Sequence, residues 1–174
     1  MDPDELARRA RELLVDDAAS RRARQASHRA VADDLTTTAA LLLAAARRRH
    51  EVGLTLLGGG QVRLVPRLVG PDVLAGARPG SPTDVVALGA LASVELPTGA
   101  ETDLEADVTG PTLRDVIDAV LDERPPVAAW TIDGGGPHSG ELVGCGQDVI
   151  VVRTANASRR ALPLASLGRL RLAP

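Results

Sequence analysis

Apolar positions recur in two rhythms along this chain, and the rhythms alternate. From Val31 the spacing is helical, through Leu35, Ala39, Leu42, Leu43 and Ala46, and it closes on Arg47-Arg48-Arg49. Cations there suit the negative end of a helix dipole. The rhythm then switches to every second residue in Val52, Leu54 and Leu56, the mark of a half-buried strand. The same switch recurs 76 residues on, where Thr112 repeats the place of Thr36. Leu113, Val116, Ile117, Val120 and Leu121 form one apolar stripe, and Pro125-Pro126 stop it. Thr112 with Asp115 three residues later has the shape of a capping box.

Each helical stretch leads into a strand and then a triple glycine, Gly58-Gly59-Gly60 and Gly134-Gly135-Gly136. Both pass from strand to strand and read as hairpin turns. A phosphate-binding loop would instead open a helix. Further strands are predicted near Val62–Leu68, with Pro66 forcing a bulge or an edge position, and at Val73–Ala75, Asp84–Leu88 and Ser93–Leu96. The second set lies at Ala129–Ile132, Gly140–Val143, Val149–Thr154, Ala161–Leu164 and Arg169–Leu172. The apolar start of Val149–Thr154 predicts a central strand. Five short strands at about 8–12-residue spacing in each half point to a small barrel or sandwich.

Upstream, Asp2-Pro3-Asp4-Glu5 opens a helix well, with Leu6, Ala10, Leu13 and Leu14 on one face. Ser20 to Ala30 is polar almost all round, the pattern of a solvent-bridging helix. Between the two halves, Pro97 to Pro111 carries Glu101, Asp103, Glu105 and Asp107 and no Arg, and reads as a solvated acidic linker. The expected organisation is an N-terminal helical segment over 1–50, a first β module over 51–97, the linker over 98–111, and a helix with a second β module over 112–174.

Composition changes the picture in three ways. The 174 residues include one Trp and no Phe or Tyr, so the cores must be built from Leu, Val, Ala and Ile. All 20 cationic side chains are Arg, while the net charge is −3, which does not favour a dedicated nucleic-acid binder. The one cysteine, Cys145, excludes a disulfide within the chain and fits a reducing cytoplasm. The N-terminus lacks the basic and apolar regions of a signal peptide. The longest apolar run, Ala39 to Ala46, is far short of the ~20 residues that cross a bilayer.

The segment G-x₃-G-x-L-x₃-G-x-D-x-I-x-V, through Gly136, Gly140, Leu142, Gly146, Asp148, Ile150 and Val152, resembles the first half of an Sm-like barrel. Ala161 to Leu170, A-L-P-L-A-S-L-G-R-L, looks like the fourth strand, short turn and fifth strand of such barrels. The resemblance covers Thr112 to Leu172 and, with more departures, Thr36 to Leu96. It is similar to bacterial proteins in which a helical N-terminus leads into such barrels. It implies an α+β protein: a long N-terminal helical segment, then two tandem five-stranded antiparallel barrels, each preceded by a helix. The polar loop residues and the Arg-Gly pair of RNA-binding Sm-like proteins have no counterpart here, so the resemblance implies the fold more than an RNA site.

Candidate chemistry is sparse. His138 and Cys145 are two potential ligands where metal sites want three or four, so no metal is expected, and no cofactor. His138 and Ser139 are adjacent on a strand and point to opposite faces, which argues against a catalytic dyad. Two arginine groups remain. One is Arg21, Arg22, Arg24 and Arg29; the other is Arg153, Arg159, Arg160, Arg169 and Arg171 in the second module. They read either as solvated surface or as contacts for an anionic partner. The expectation is a non-catalytic cytoplasmic interaction or scaffold protein, with a protein partner or self-association through the N-terminal helix. The alternative is a nucleic-acid-binding regulator that uses the arginines of the second module.

Overall fold

In the computed structural model, the structure describes residues 38–98 and 108–173. Strands dominate them. The first half carries β1 (Val52–Leu56), β2 (Gln61–Val69), β3 (Val73–Ala77), β4 (Thr83–Ala87), a 3-10 turn at Leu88–Ala90 and β5 (Leu91–Glu95). The second carries β6 (Pro126–Thr131), β7 (His138–Cys145), β8 (Val149–Arg153), β9 (Arg159–Pro163), a 3-10 turn at Leu164–Ser166 and β10 (Leu167–Leu172). Helix α1 occupies residues 38–48, and α2 spans Leu113–Leu121.

All ten strands join one open antiparallel sheet in the order β5-β1-β2-β3-β4-β10-β6-β7-β8-β9. This corrects the expectation of two closed Sm-like barrels. Closing each half on itself would require the fourth strand of that half to pair with its fifth. Instead the free edge of β4 is taken by β10, with Arg169 opposite Val86 and Arg171 opposite Asp84. β10 also pairs with β6, so the last strand of the second half stitches the halves together. The α+β description is corrected with it: among the described residues helix is confined to α1, α2 and the two 3-10 turns. The expected helical segment up to residue 37, with Arg21, Arg22, Arg24 and Arg29, lies outside the described residues, as does most of the acidic linker.

Local patterns explain the strands. Val62, Leu64 and Pro66 in β2 alternate inward between exposed Gln61, Arg63 and Arg67. The ladder to β3 shifts register between Pro66 and Leu68, a local irregularity at the residue that lacks an N–H. β3 and β4 are buried on both faces. Val73, Ala75, Val85 and Ala87 pack with Leu113, Ile117, Ile150 and Leu170 in one apolar cluster. Leu74, Val86 and Leu88 pack with Leu42, Val52, Leu54 and Leu64 in another. These two are thus the central strands that read as near-continuous apolar runs. β8, expected to be central, lies one strand from the edge, and only Ile150 and Val152 are buried in it.

The helices seal the clusters. α1 contributes Ala39, Leu42 and Ala45 to the first-half cluster. It ends at Arg49, whose φ of 55° is left-handed, and the His50 N–H closes back on the Ala45 carbonyl. α2 begins in a full capping box. The Asp115 N–H donates to the Thr112 hydroxyl, and the Thr112 N–H donates to the Asp115 carboxylate at 2.8 Å. A second carboxylate comes from the first half: Asp72 accepts from the Leu113 N–H at 2.8 Å. That contact uses an otherwise orphaned helix donor and fixes α2 over β7 and β4.

Candidate functional site

The β4–β10 seam carries a charged knot on the side opposite α2. Asp84 sits in a strand of otherwise apolar burial and is only 5% exposed. In an antiparallel pair alternate residues share a face, so Asp84, Arg169 and Arg171 point the same way. Asp84 Oδ1 accepts from Arg169 Nε at 2.8 Å and from Arg171 Nε at 3.1 Å, and Oδ2 accepts from Arg171 Nη2 at 3.4 Å. The next strand across supplies Trp130, which lies opposite Arg169. The guanidinium carbon of Arg169 is 4.7 Å from the Trp130 ring centroid, and that of Arg171 is 5.9 Å away. Both fall within cation–π range. Two guanidiniums share one carboxylate, so the knot keeps a net positive charge. Its rigidity follows from burial: the Arg169 side chain is 11% exposed, while Arg171 at 42% reaches solvent.

Two grooves meet at Arg169. One, of 390 Å³, is lined by Gln61, Arg63, Arg78, Ser81, Arg169 and Arg171. The other, of 280 Å³, lies between the glycine turns and is walled by Trp130, Thr131 and Arg169. Arg63 and Arg78 hold exposed ion pairs with Glu95 and Glu51, each at 3.3 Å. Such pairs are worth little and exchange readily for another anion.

The glycine turns are hairpins, β1 to β2 and β6 to β7, and they touch. A Cβ on Gly58 would lie 2.4 Å from the Gly134 nitrogen, and one on Gly134 would lie 2.7 Å from the Gly58 oxygen. The second turn is braced by Asp133, which accepts from the Thr131 hydroxyl and from the Gly135 N–H. Those two bonds, the Thr131 one foremost, hold the Asp133 carboxyl below the usual carboxylate value.

The five arginines expected to gather do so only in part. Arg169 and Arg171 are in the seam. Arg153 is on β8 and pairs with Glu141 at 2.5 Å. Arg159 and Arg160 are on β9, at the sheet edge, with β6, β7 and β8 between them and β10. Arg160 is hydrogen-bonded to His138 at 2.5 Å. Sequence reasoning missed Asp84, Trp130, Arg63 and Arg78. A lone acid inside Thr83–Ala87 and two arginines two residues apart on a strand were the available signals. Cys145 packs against the second-half cluster. Burial pushes its thiol pKa up, the Asp118 charge adds to this, and Arg114 opposes it. No group of three or more His, Cys, Asp or Glu is placed to hold a metal among the described residues. Nor is any of their helices long and apolar enough to cross a membrane.

Fold and site together define a predominantly β protein with an arginine–tryptophan groove built on the seam of one continuous sheet. No family model matches the chain, and no curated protein or solved structure matches it.

Proposed function

We propose that this is a non-catalytic cytoplasmic interaction protein whose partner places an acidic segment in the groove at the β4–β10 seam. The observation that carries the reading is Arg169, fixed by buried Asp84 and Trp130 where two grooves join. A buried carboxylate spent on holding two guanidiniums is costly unless their position matters. A preorganised planar fork suits a carboxylate. Cys145 as the lone cysteine supports a reducing compartment.

A second reading, a nucleic-acid-binding regulator, is favoured by the aromatic ring beside the arginines, since single-strand binders combine basic grooves with stacking. One face of Trp130 already carries Arg169, and there is no second aromatic residue, so the acidic-segment reading is preferred.

Because Trp130 is the sole aromatic side chain, its emission reports this groove alone. Titration with a polyglutamate peptide is expected to change Trp130 emission saturably, and Arg171→Ala with Arg78→Ala to weaken that response. A stronger, steeply salt-dependent response to oligothymidylate would favour the second reading. No response to either probe would overturn both.

A further inference from the structure

Three glycines of the hairpin turns are demanded by the fold, and a fourth, Gly60, is not. Gly59 and Gly134 have φ of 85° and 86°, the left-handed region that favours glycine. Gly58 is held by contact, since its Cβ would lie 2.4 Å from the Gly134 nitrogen. Gly60 is under neither constraint. Its φ is not left-handed, and a Cβ there would meet only Leu56 Cδ1, at an ordinary 3.7 Å. An alanine would fit, and it would lose less conformational freedom on folding. Gly60 and Leu56 both line the 280 Å³ groove, so this glycine is explained by the space it leaves open there.

That space ends on a charge. Arg169 Nε is committed to Asp84 at 2.8 Å, but Nη1 and Nη2 have no hydrogen-bond partner, and neither is sealed from solvent. The guanidinium is seated 4.7 Å from the Trp130 ring centroid. It thus presents uncommitted donors from a fixed plane, the fork that a carboxylate accepts bidentately. Leu56 and the Trp130 ring give the same groove apolar surface. Gly58 and Gly134 touch, so the two turns that wall it leave no gap between them.

We infer that the glycine-turn groove takes the C-terminus of the partner chain, with the α-carboxylate on the Arg169 fork and a small apolar last side chain against Leu56 beside Gly60. At 280 Å³ the groove falls below the about 300–1,000 Å³ of sites that enclose whole ligands, which suits the end of a chain. Capture of a terminal carboxylate is a recurrent mode of peptide recognition. The inference rests on the proposed binding of an acidic segment, whose side-chain carboxylates would meet Arg63, Arg78 and Arg171 in the adjoining groove. It gives that segment a direction and requires its end to be free. A glutamate in mid-segment would bring a continuing main chain into a space with room for one end.

Two acetylated peptides of equal charge test it on the full-length chain. One has four glutamates and a valine with a free C-terminus; the other has five glutamates and a valine with a C-terminal amide. Trp130 emission reads both. The free acid is expected to bind roughly tenfold more tightly, the scale of a hydrogen bond to a charged group. Gly60→Val, which fills the groove without a change of charge, should abolish that preference and leave the affinity for the amide unchanged. Equal affinity of the wild-type chain for the two peptides overturns the inference and leaves the acidic-segment reading in place. A preference that survives Gly60→Val, in a variant with the wild-type circular dichroism spectrum, overturns it as well by placing the carboxylate elsewhere. If that variant fails to fold, the two peptides on the wild-type chain decide alone. Binding of neither peptide overturns the inference and the acidic-segment reading together.

Discussion

Arg169 Nε donates to Asp84 Oδ1 at 2.8 Å across 85 residues of sequence, and the pair locks the two halves of the sheet at their seam. Asp84 also receives Arg171. Its loss would leave the largely buried Arg169 guanidinium uncompensated. Asp84→Ala is expected to cost about 3 kcal/mol, the scale of breaking one side of a buried ion pair. Replacing both partners with leucine should cost less than the sum of the single changes. Urea unfolding followed by Trp130 emission measures both. Equal, additive losses would show that the pair is uncoupled.

The contact between the glycine turns makes a second prediction. Gly58→Ala places a methyl group against the Gly134 backbone and should destabilise by about 2 kcal/mol, as overpacking does. Gly89→Ala meets nothing within 4 Å and has no positive φ, so it should stay within about 0.5 kcal/mol of wild type. Thermal melts of the two variants side by side decide it; comparable losses would refute the packing of the two turns.

Acid sensitivity should trace in part to the α2 cap. The backbone hydrogen bond from Thr112, then its hydroxyl, holds the Asp115 carboxyl below its usual 3.8. A depressed folded-state pKa contributes stability that is present above the unfolded value and is lost as pH falls through the folded one. Asp115→Asn should therefore flatten the decline in melting temperature below pH 3.8. Asp133, shifted the same way by Thr131 and Gly135, keeps its own share of that decline. An unchanged acid limb in Asp115→Asn would remove Asp115 from the account.

Much of the local structure was legible because it is written in neighbours. The alternation of Val52, Leu54 and Leu56, the hairpin glycines, the irregularity at Pro66 and the Thr112 cap all depend on residues a few positions apart. The error arose in pairing. Gly136, Gly140, Gly146 and Asp148, which carried the resemblance to a closed barrel, specify turns and strands and are silent on which edge β10 finds. That choice is made by Arg169, Arg171 and Leu170 meeting Val86, Asp84 and Val85, and no periodicity reports a contact of that separation. The site failed for the same reason. Arg153, Arg159 and Arg160 are near Arg169 in sequence, yet β8 and β9, which carry them, are the third and fourth strands from β10 in the sheet, whereas Arg63 and Arg78 are distant in sequence and share its groove.

The seam also sets the tempo of folding. Pairing between residues so far apart closes a long loop before any contact rewards it, and such topologies fold slowly. Until β10 arrives, the apolar strand Thr83–Ala87 stands as an open edge, a transient template for the wrong neighbour. Crowding of nascent chains would therefore be felt first at β4, in the interval before Arg171 reaches Asp84.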